Sequence, residues 1–200
     1  MKKLGIVAFS FALVVIGCSK SNPSTTTAPS GSASATVSAA PTATPCAVAG
    51  ASTLAATVTS TGNEAAVRDV RYSDDGCPSI VFAFEGDHTP GYTVDYASPP
   101  FNDCGSGAPV STSSWGADHY LTIRLDPSGG VDLSKSPNPT YTGPRDITVD
   151  GMTLKHLKTI CDFEGVFTWV AGVRANHAFK VQALKNPPRI VVGISAAAAG

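Results

Sequence analysis

Asp162-Phe163-Glu164-Gly165-Val166-Phe167-Thr168-Trp169-Val170-Ala171-Gly172-Val173 is the stretch on which the fold turns. Its first four residues read as a hairpin turn between strands. In the run that follows, Phe167 and Trp169 are two apart and share one face. Leu154 to Ile160, just before the turn, supplies the partner strand. The same kind of run recurs along the chain. Val67 to Tyr72 and Tyr92 to Tyr96 alternate with period two, Ile80 to Phe84 is continuously apolar, and Tyr120 to Leu125, Phe179 to Leu184 and Ile190 to Ile194 complete the set. Turn pairs such as Asp-Gly, Pro-Gly, Gly-Gly and Pro-Pro separate these runs, and no stretch carries a capped apolar stripe of helical period. Seven or eight short strands at this spacing predict an all-β sandwich with a long irregular connection between Pro127 and Pro144.

Working outward, the chain divides into unlike segments. Met1-Lys2-Lys3 is a positive start, and the apolar run Leu4 to Ile16 is too short to span a bilayer, which takes roughly 20 helical residues. Residues 1–17 therefore read as an export signal peptide. Val15-Ile16-Gly17-Cys18 resembles a bacterial lipobox, in which the Cys is acylated on its thiol and becomes the mature N-terminus. Two acyl chains are what stable anchoring needs, and no other segment could hold the protein on a membrane. Residues 18–60 read as the lipidated Cys18 and a linker. Between positions 19 and 45, 23 of 27 residues are Ser, Thr, Ala or Pro, a composition that cannot build a core and predicts a disordered stalk. The folded part is expected over 61–195, followed by a disordered tail over 196–200.

The whole chain of 200 residues has 14 Lys and Arg against 15 Asp and Glu, with 14% of residues charged. A near-neutral balance without a basic block argues against nucleic acid as a partner. Residues 62–195 hold 11 of the basic and all 15 of the acidic residues, so the stalk and leader dilute an ordinary soluble-domain charge content. With Cys18 assigned to lipid, Cys46, Cys77, Cys104 and Cys161 are left. In an exported chain they predict two disulfides, with three connectivities open. The pairing favoured here is Cys46 with Cys77 and Cys104 with Cys161. A zinc site lacks the paired Cys or His spacing it requires.

Catalytic and cofactor motifs are missing from the sequence. Gly105-Ser106-Gly107 lacks the spacing of a nucleophile elbow, His88, His119, His156 and His177 are far apart, and no phosphate loop or dinucleotide fingerprint occurs. The chain is expected to be no enzyme and to carry neither cofactor nor metal. An unrecognised hydrolase using Asp162 or Glu164 is the minor alternative.

Several motifs in order give a resemblance. Val67-Arg68, Ile80-Val81-Phe82-Ala83-Phe84, Cys104-Gly105-Ser106-Gly107, Thr140-Tyr141-Thr142-Gly143-Pro144-Arg145, Cys161 to Val173, Phe179-Lys180-Val181 and Asn186-Pro187-Pro188-Arg189-Ile190-Val191-Val192 look like the AMIN-like domain of actinobacterial envelope lipoproteins. This family is related to the AMIN domain of N-acetylmuramoyl-L-alanine amidases. Gly193 departs from the AMIN pattern, which favours an acidic residue there. The resemblance implies a non-catalytic β-sandwich that places envelope proteins by binding peptidoglycan or another wall glycan. The alternative is docking of an envelope protein, such as an enzyme or secretion component, and the expected location is the outer face of the cell membrane. The residue types suited to stacking on sugar or gripping a carboxylate give the ligand-binding set Tyr141, Arg145, Glu164, Trp169, Arg174 and Arg189. Tyr141 and Arg145 are expected at the surface; for Trp169, core packing is the default reading and the site role the competing one.

Overall fold

The computed structural model describes residues 46–74, 76–132 and 139–198. The leader, Cys18 and most of the stalk lie outside these residues. Among those described there is no helix, and thirteen strands form the body: β1 (Ala56–Val58), β2 (Ala65–Ser73), β3 (Ser79–Phe84), β4 (Gly91–Ala97), β5 (Phe101–Asn102), β6 (Pro109–Val110), β7 (His119–Asp126), β8 (Ser128–Gly129), β9 (Asp146–Thr148), β10 (Leu154–Phe163), β11 (Val166–Val173), β12 (His177–Leu184) and β13 (Arg189–Ala198). The eight strands of six or more residues coincide with the eight runs read from the sequence. The other five have two or three residues, too few to show a period.

A six-stranded sheet runs β1-β4-β7-β11-β10-β9 and a five-stranded sheet runs β12-β13-β3-β2-β8, with β5 and β6 forming a small ribbon. All pairings are antiparallel except β2 with β8. Alternation decides the packing. Ile190, Val192 and Ile194 of β13 and Ile80, Phe82 and Phe84 of β3 point inward, where they meet Leu121, Ile123 and Leu125 of β7 and Phe167 and Trp169 of β11. Phe82 and Trp169 meet edge-on across the sandwich at 6.2 Å. A second, smaller cluster covers part of the outer face of the six-stranded sheet, where Phe101 and Trp115 lie against Val170. Gly172 permits this cover: a Cβ there would stand 2.9 Å from Ala117 and 3.1 Å from the Trp115 ring.

The pairs Cys46–Cys77 and Cys104–Cys161 are bridged, with Cα separations of 5.1 and 5.0 Å. The folded part is longer than 61–195 at both ends. The Ala196 amide donates to the Cys46 carbonyl (2.8 Å), Val48 N donates to Ser195 Oγ (3.1 Å), and Ser52 bridges Phe179, while β1 pairs with β4. Residues 46–58 are thus held by backbone hydrogen bonds that composition does not reveal. Residues 196–198, expected in a tail, complete β13.

Candidate functional site

The β10–β11 hairpin turns through Glu164 and Gly165, whose φ angles of 48° and 73° both lie in the left-handed region. Two such residues in succession suit the right-handed twist of the flanking strands, and Gly165 adopts the conformation without steric cost. Glu164 keeps a side chain there. Just before the turn, Phe163 is 56% exposed, one of the large apolar side chains in contact with solvent.

Below the hairpin, Gly130 N donates to Asp162 Oδ1 (3.0 Å), and Arg145 Nη2 meets Asp162 Oδ2 at 2.7 Å. A Cβ on Gly130 would come within 2.8 Å of both Arg145 Nη2 and Asp162 Oδ2, so only glycine lets the backbone approach this ion pair. The Arg145 guanidinium also lies over the Tyr141 and Phe167 rings, 5.6 and 5.8 Å from their centroids. These contacts fix the guanidinium in place.

Phe163 and Asp162 form the wall between two open depressions. One, of about 340 Å³, is lined by Glu64, Val131, Asp162 and Glu164. The other, of about 430 Å³, is lined by Arg145, Asp146, Lys158, Thr159 and the Cys104–Cys161 bridge. The first is acidic: burial, then the nearby Asp132 and Asp162 carboxylates, push the Glu64 carboxyl above its ordinary range. Among the described residues no group of three His, Cys, Asp or Glu is placed to hold a metal ion. The second depression carries both signs. The Asp146 carboxylate accepts from Lys158 Nζ and lies 2.7 Å from His156 Nε2; the Lys158 hydrogen bond is the larger influence holding its carboxyl below the usual range. Hydrogen bonds from Ser106 likewise lower Asp103. The rims therefore offer fixed donors and acceptors beside an exposed ring.

The six residues expected to bind ligand are not one site. Tyr141 is 2% exposed, which corrects the expectation of a surface Tyr; Trp169 is fully buried, in line with its default core reading, and so leaves the ligand-binding set. The reason for Tyr141 lies in its backbone. Thr140 N and Tyr141 N both donate to Gly130 O (2.8 and 3.1 Å), and Thr140 Oγ1 donates to Val67 O (2.7 Å). The connection is thereby drawn across the open end of the sandwich, and the ring fills the gap, edge-on to Phe167 and Trp169 at 6.1 Å from each. Its hydroxyl is satisfied by donating to Pro144 O (2.6 Å). Trp169 occupies an inward position of the central strand β11. Arg145 and Glu164 lie on either side of the Asp162–Phe163 wall at the hairpin, one lining each depression. Arg174 lies beyond the opposite end of β11, where its amide donates to Thr153 O (3.0 Å), and Arg189 stands on the outside of the other sheet.

Phe163 was missed by reading composition alone, yet it was legible. If Phe167 and Trp169 face inward, Val166 and Thr168 face outward, and a two-residue turn pairs Phe163 with Val166. The ring must then stand on the outside.

Residues 65–196, which run from the first residue of β2 into the last residues of β13, match the AMIN-like domain. The chain belongs to the AMIN-like domain family. No curated protein and no solved structure matches it. Membership marks this AMIN-like domain as a cell-wall-associated binding module, and domains of the family are in general non-catalytic. AMIN domains occur in extracytoplasmic proteins of the cell wall.

Proposed function

We propose that this AMIN-like domain binds a wall glycan, peptidoglycan in particular, at the β10–β11 hairpin, and that Cys18 lipidation with the 19–45 stalk holds it at the outer face of the cell membrane. The observation that carries the reading is the exposed Phe163 ring between two polar-rimmed depressions. The face of a sugar ring stacks on an aromatic side chain, while its hydroxyl and acetamide groups take hydrogen bonds from the rim. Arg145, Asp162, Glu164 and Lys158 supply those partners, and the Arg145–Asp162 pair is already formed, so little ordering is needed on binding. The reaction class is binding, with no bond broken.

A second reading, docking of an envelope protein, is favoured by one feature. β12 is an edge strand, and Phe179 N and O both point away from β13 to bond Ser52. By the two-residue period Val181 and Ala183 present their N–H and C=O groups to the same open edge, where an extended peptide could add as a strand. One experiment separates the readings: co-sedimentation of the full-length protein, in detergent micelles, with purified sacculi. Glycan binding at the hairpin predicts that the protein pellets, that Phe163→Ala weakens binding about tenfold, a loss of about 1.4 kcal/mol, and that Ala183→Pro, which removes only an outward edge donor, changes nothing. Wild-type protein that stays in the supernatant across salt and pH would overturn the glycan reading, as would a Phe163→Ala variant that pellets equally well.

A further inference from the structure

Three of the four edges of the two large sheets are blunt. β1, β8 and β9 have three, two and three residues, and edge strands so short offer little to another chain. β12, the fourth edge, has eight. Ser52 occupies only its start, where its N–H and C=O exchange hydrogen bonds with those of Phe179, both at 2.9 Å. The N–H and C=O groups of Val181 and Ala183 point to the same side by the two-residue period. The strand then ends in the turn over 185–188. A short open stretch is left, bounded at both ends.

The devices that keep an edge from pairing are missing from this stretch. Val181-Gln182-Ala183-Leu184 holds no charge and no Pro, and the register shift in β12 lies between His177 and Phe179, where Ser52 covers it. Lys180, the nearest charge, lies on the outer face, and its Nζ donates to Ala49 O (3.0 Å). Gln182, Ala183 and Leu184 are exposed. From Ser52 the chain crosses to the edge of the other sheet, where it becomes β1, so the two edges share one side of the sandwich. Leu54, 76% exposed, lies on that crossing.

We infer that a second copy of this chain pairs antiparallel along β12, about a two-fold axis through Gln182, joining the two five-stranded sheets into one. The inference rests on the open-edge reading of β12 and names the partner. An axis at Gln182 sets Val181 opposite Ala183 of the second copy, and Ala183 opposite its Val181. Each open N–H then meets an open C=O, with none left over. An axis at Val181 would set Ala183 against Phe179, whose groups Ser52 already holds. An axis at Ala183 would set Val181 against Lys185, which is in the turn. The side chains agree with the Gln182 axis. The two Gln182 amides face one another, and the stem of Lys180 lies beside Leu184 of the second copy, so no like charges stand opposite. The two Lys180 are four residues apart along the seam, about 13 Å, beyond the screening length of about 8 Å at physiological salt. A strand from another protein would have to stop within the same bounds, whereas the second copy is already cut to them. So short a seam buries less than the roughly 1,600 Å² of a standard interface, and the association is weak. At the dilution of a sedimentation assay the copies are separate, and Ala183→Pro remains a neutral control there.

The test is cysteine cross-linking of the full-length protein in detergent micelles under mild oxidation. Across the axis the two residues at position 182 have Cα atoms about 4.5 Å apart, within disulfide range. Gln182→Cys is therefore expected to form a linked dimer at least tenfold faster than Lys180→Cys alone, Leu184→Cys alone, or wild type, which controls for Cys18. Mixing the Lys180→Cys and Leu184→Cys chains should restore linkage, because the register sets these positions opposite one another. Adding Ala183→Pro to Gln182→Cys should abolish it. A Gln182→Cys chain that stays monomeric overturns the pairing, and so does equal linkage of all three variants, which would mean only that chains share a micelle. Hydrogen exchange of the wild-type protein needs no variant and separates this failure from failure of the edge itself. The Val181 and Ala183 amides should exchange freely in dilute protein and about tenfold more slowly when it is concentrated. Slow exchange at every concentration would mean a closed edge and overturn strand docking together with the pairing. Fast exchange at every concentration overturns the pairing alone and leaves the edge to a strand of another protein.

Discussion

Glu164 holds a carboxylate side chain in a backbone region that side chains generally avoid. Left-handed φ on a residue other than Gly or Asn is a small conformational penalty, of order 1 kcal/mol, and such penalties persist where the side chain has a task. Glu164 borders the acidic depression and has no other structural duty in view. Replacing it with Asn, which tolerates this conformation, is expected to raise stability by about 0.5–1 kcal/mol in urea unfolding while weakening sacculus binding. A loss of stability would show that the carboxylate is structural. At this scale the sequence was readable where parity applies. The turn and the inward pair Phe167 and Trp169 follow from alternation, and so does the outward Phe163. Tyr141 was not readable, because its burial depends on backbone hydrogen bonds to Gly130 and on the Thr140 bond to Val67, 73 positions away, none of which has a pattern of its own.

β10 is interrupted between Thr159 and Cys161, where the register with β11 slips by one residue. A bulge of this kind re-aims the strand, and here it presents Cys161 to Cys104 on the loop that carries β5 and β6. The same loop is pinned by Cys104 N donating to Ile160 O (2.9 Å) and by Phe101 and Trp115 against Val170. The bridge closes 57 residues of chain, so removing it by Cys104→Ala with Cys161→Ala is expected to destabilise by about 4 kcal/mol if its effect is on the unfolded chain. Urea unfolding gives the number. Hydrogen exchange should speed up most over residues 101–110, because Val170 and its neighbours keep the rest of the sheet in place. Uniform acceleration would mean that the bridge supports the whole sheet. Long strands announce themselves by period and by β-branched content, whereas β5, β6, β8 and β9 are defined by partners that the local sequence does not name.

For the molecule as a whole, the decisive residues are those that composition assigned to the stalk. Cys46 through Val58 add to one side of each sheet: Ser52 covers the start of β12, leaving the rest of that edge open, and β1 pairs along β4. A chain beginning at Thr61 lacks these contacts and the Cys46–Cys77 bridge, which closes 31 residues. It is expected to unfold at lower urea than one beginning at Cys46, by at least the 3–4 kcal/mol ascribed to such a bridge. Equal midpoints with equal slopes would show that the segment is ornamental. The boundary at 61 followed the onset of aromatic residues, and that criterion fails where backbone pairing, rather than core packing, attaches a segment.

The Cys46–Cys77 link has a mechanical consequence. Tension reaching residue 46 from the N-terminal side can travel through sulfur to Cys77, at the turn that opens β3, the middle strand of its sheet. The covalent shunt leaves Ala47 through Gly76 slack under load, so β1 is not peeled from β4 like a zip. Force is delivered instead to a strand hydrogen-bonded on both sides, where bonds along β2 and β13 must shear together before any one gives way. If the proposed lipid and wall attachments hold, the chain is pulled whenever the envelope swells, and it meets the pull at its best-braced point.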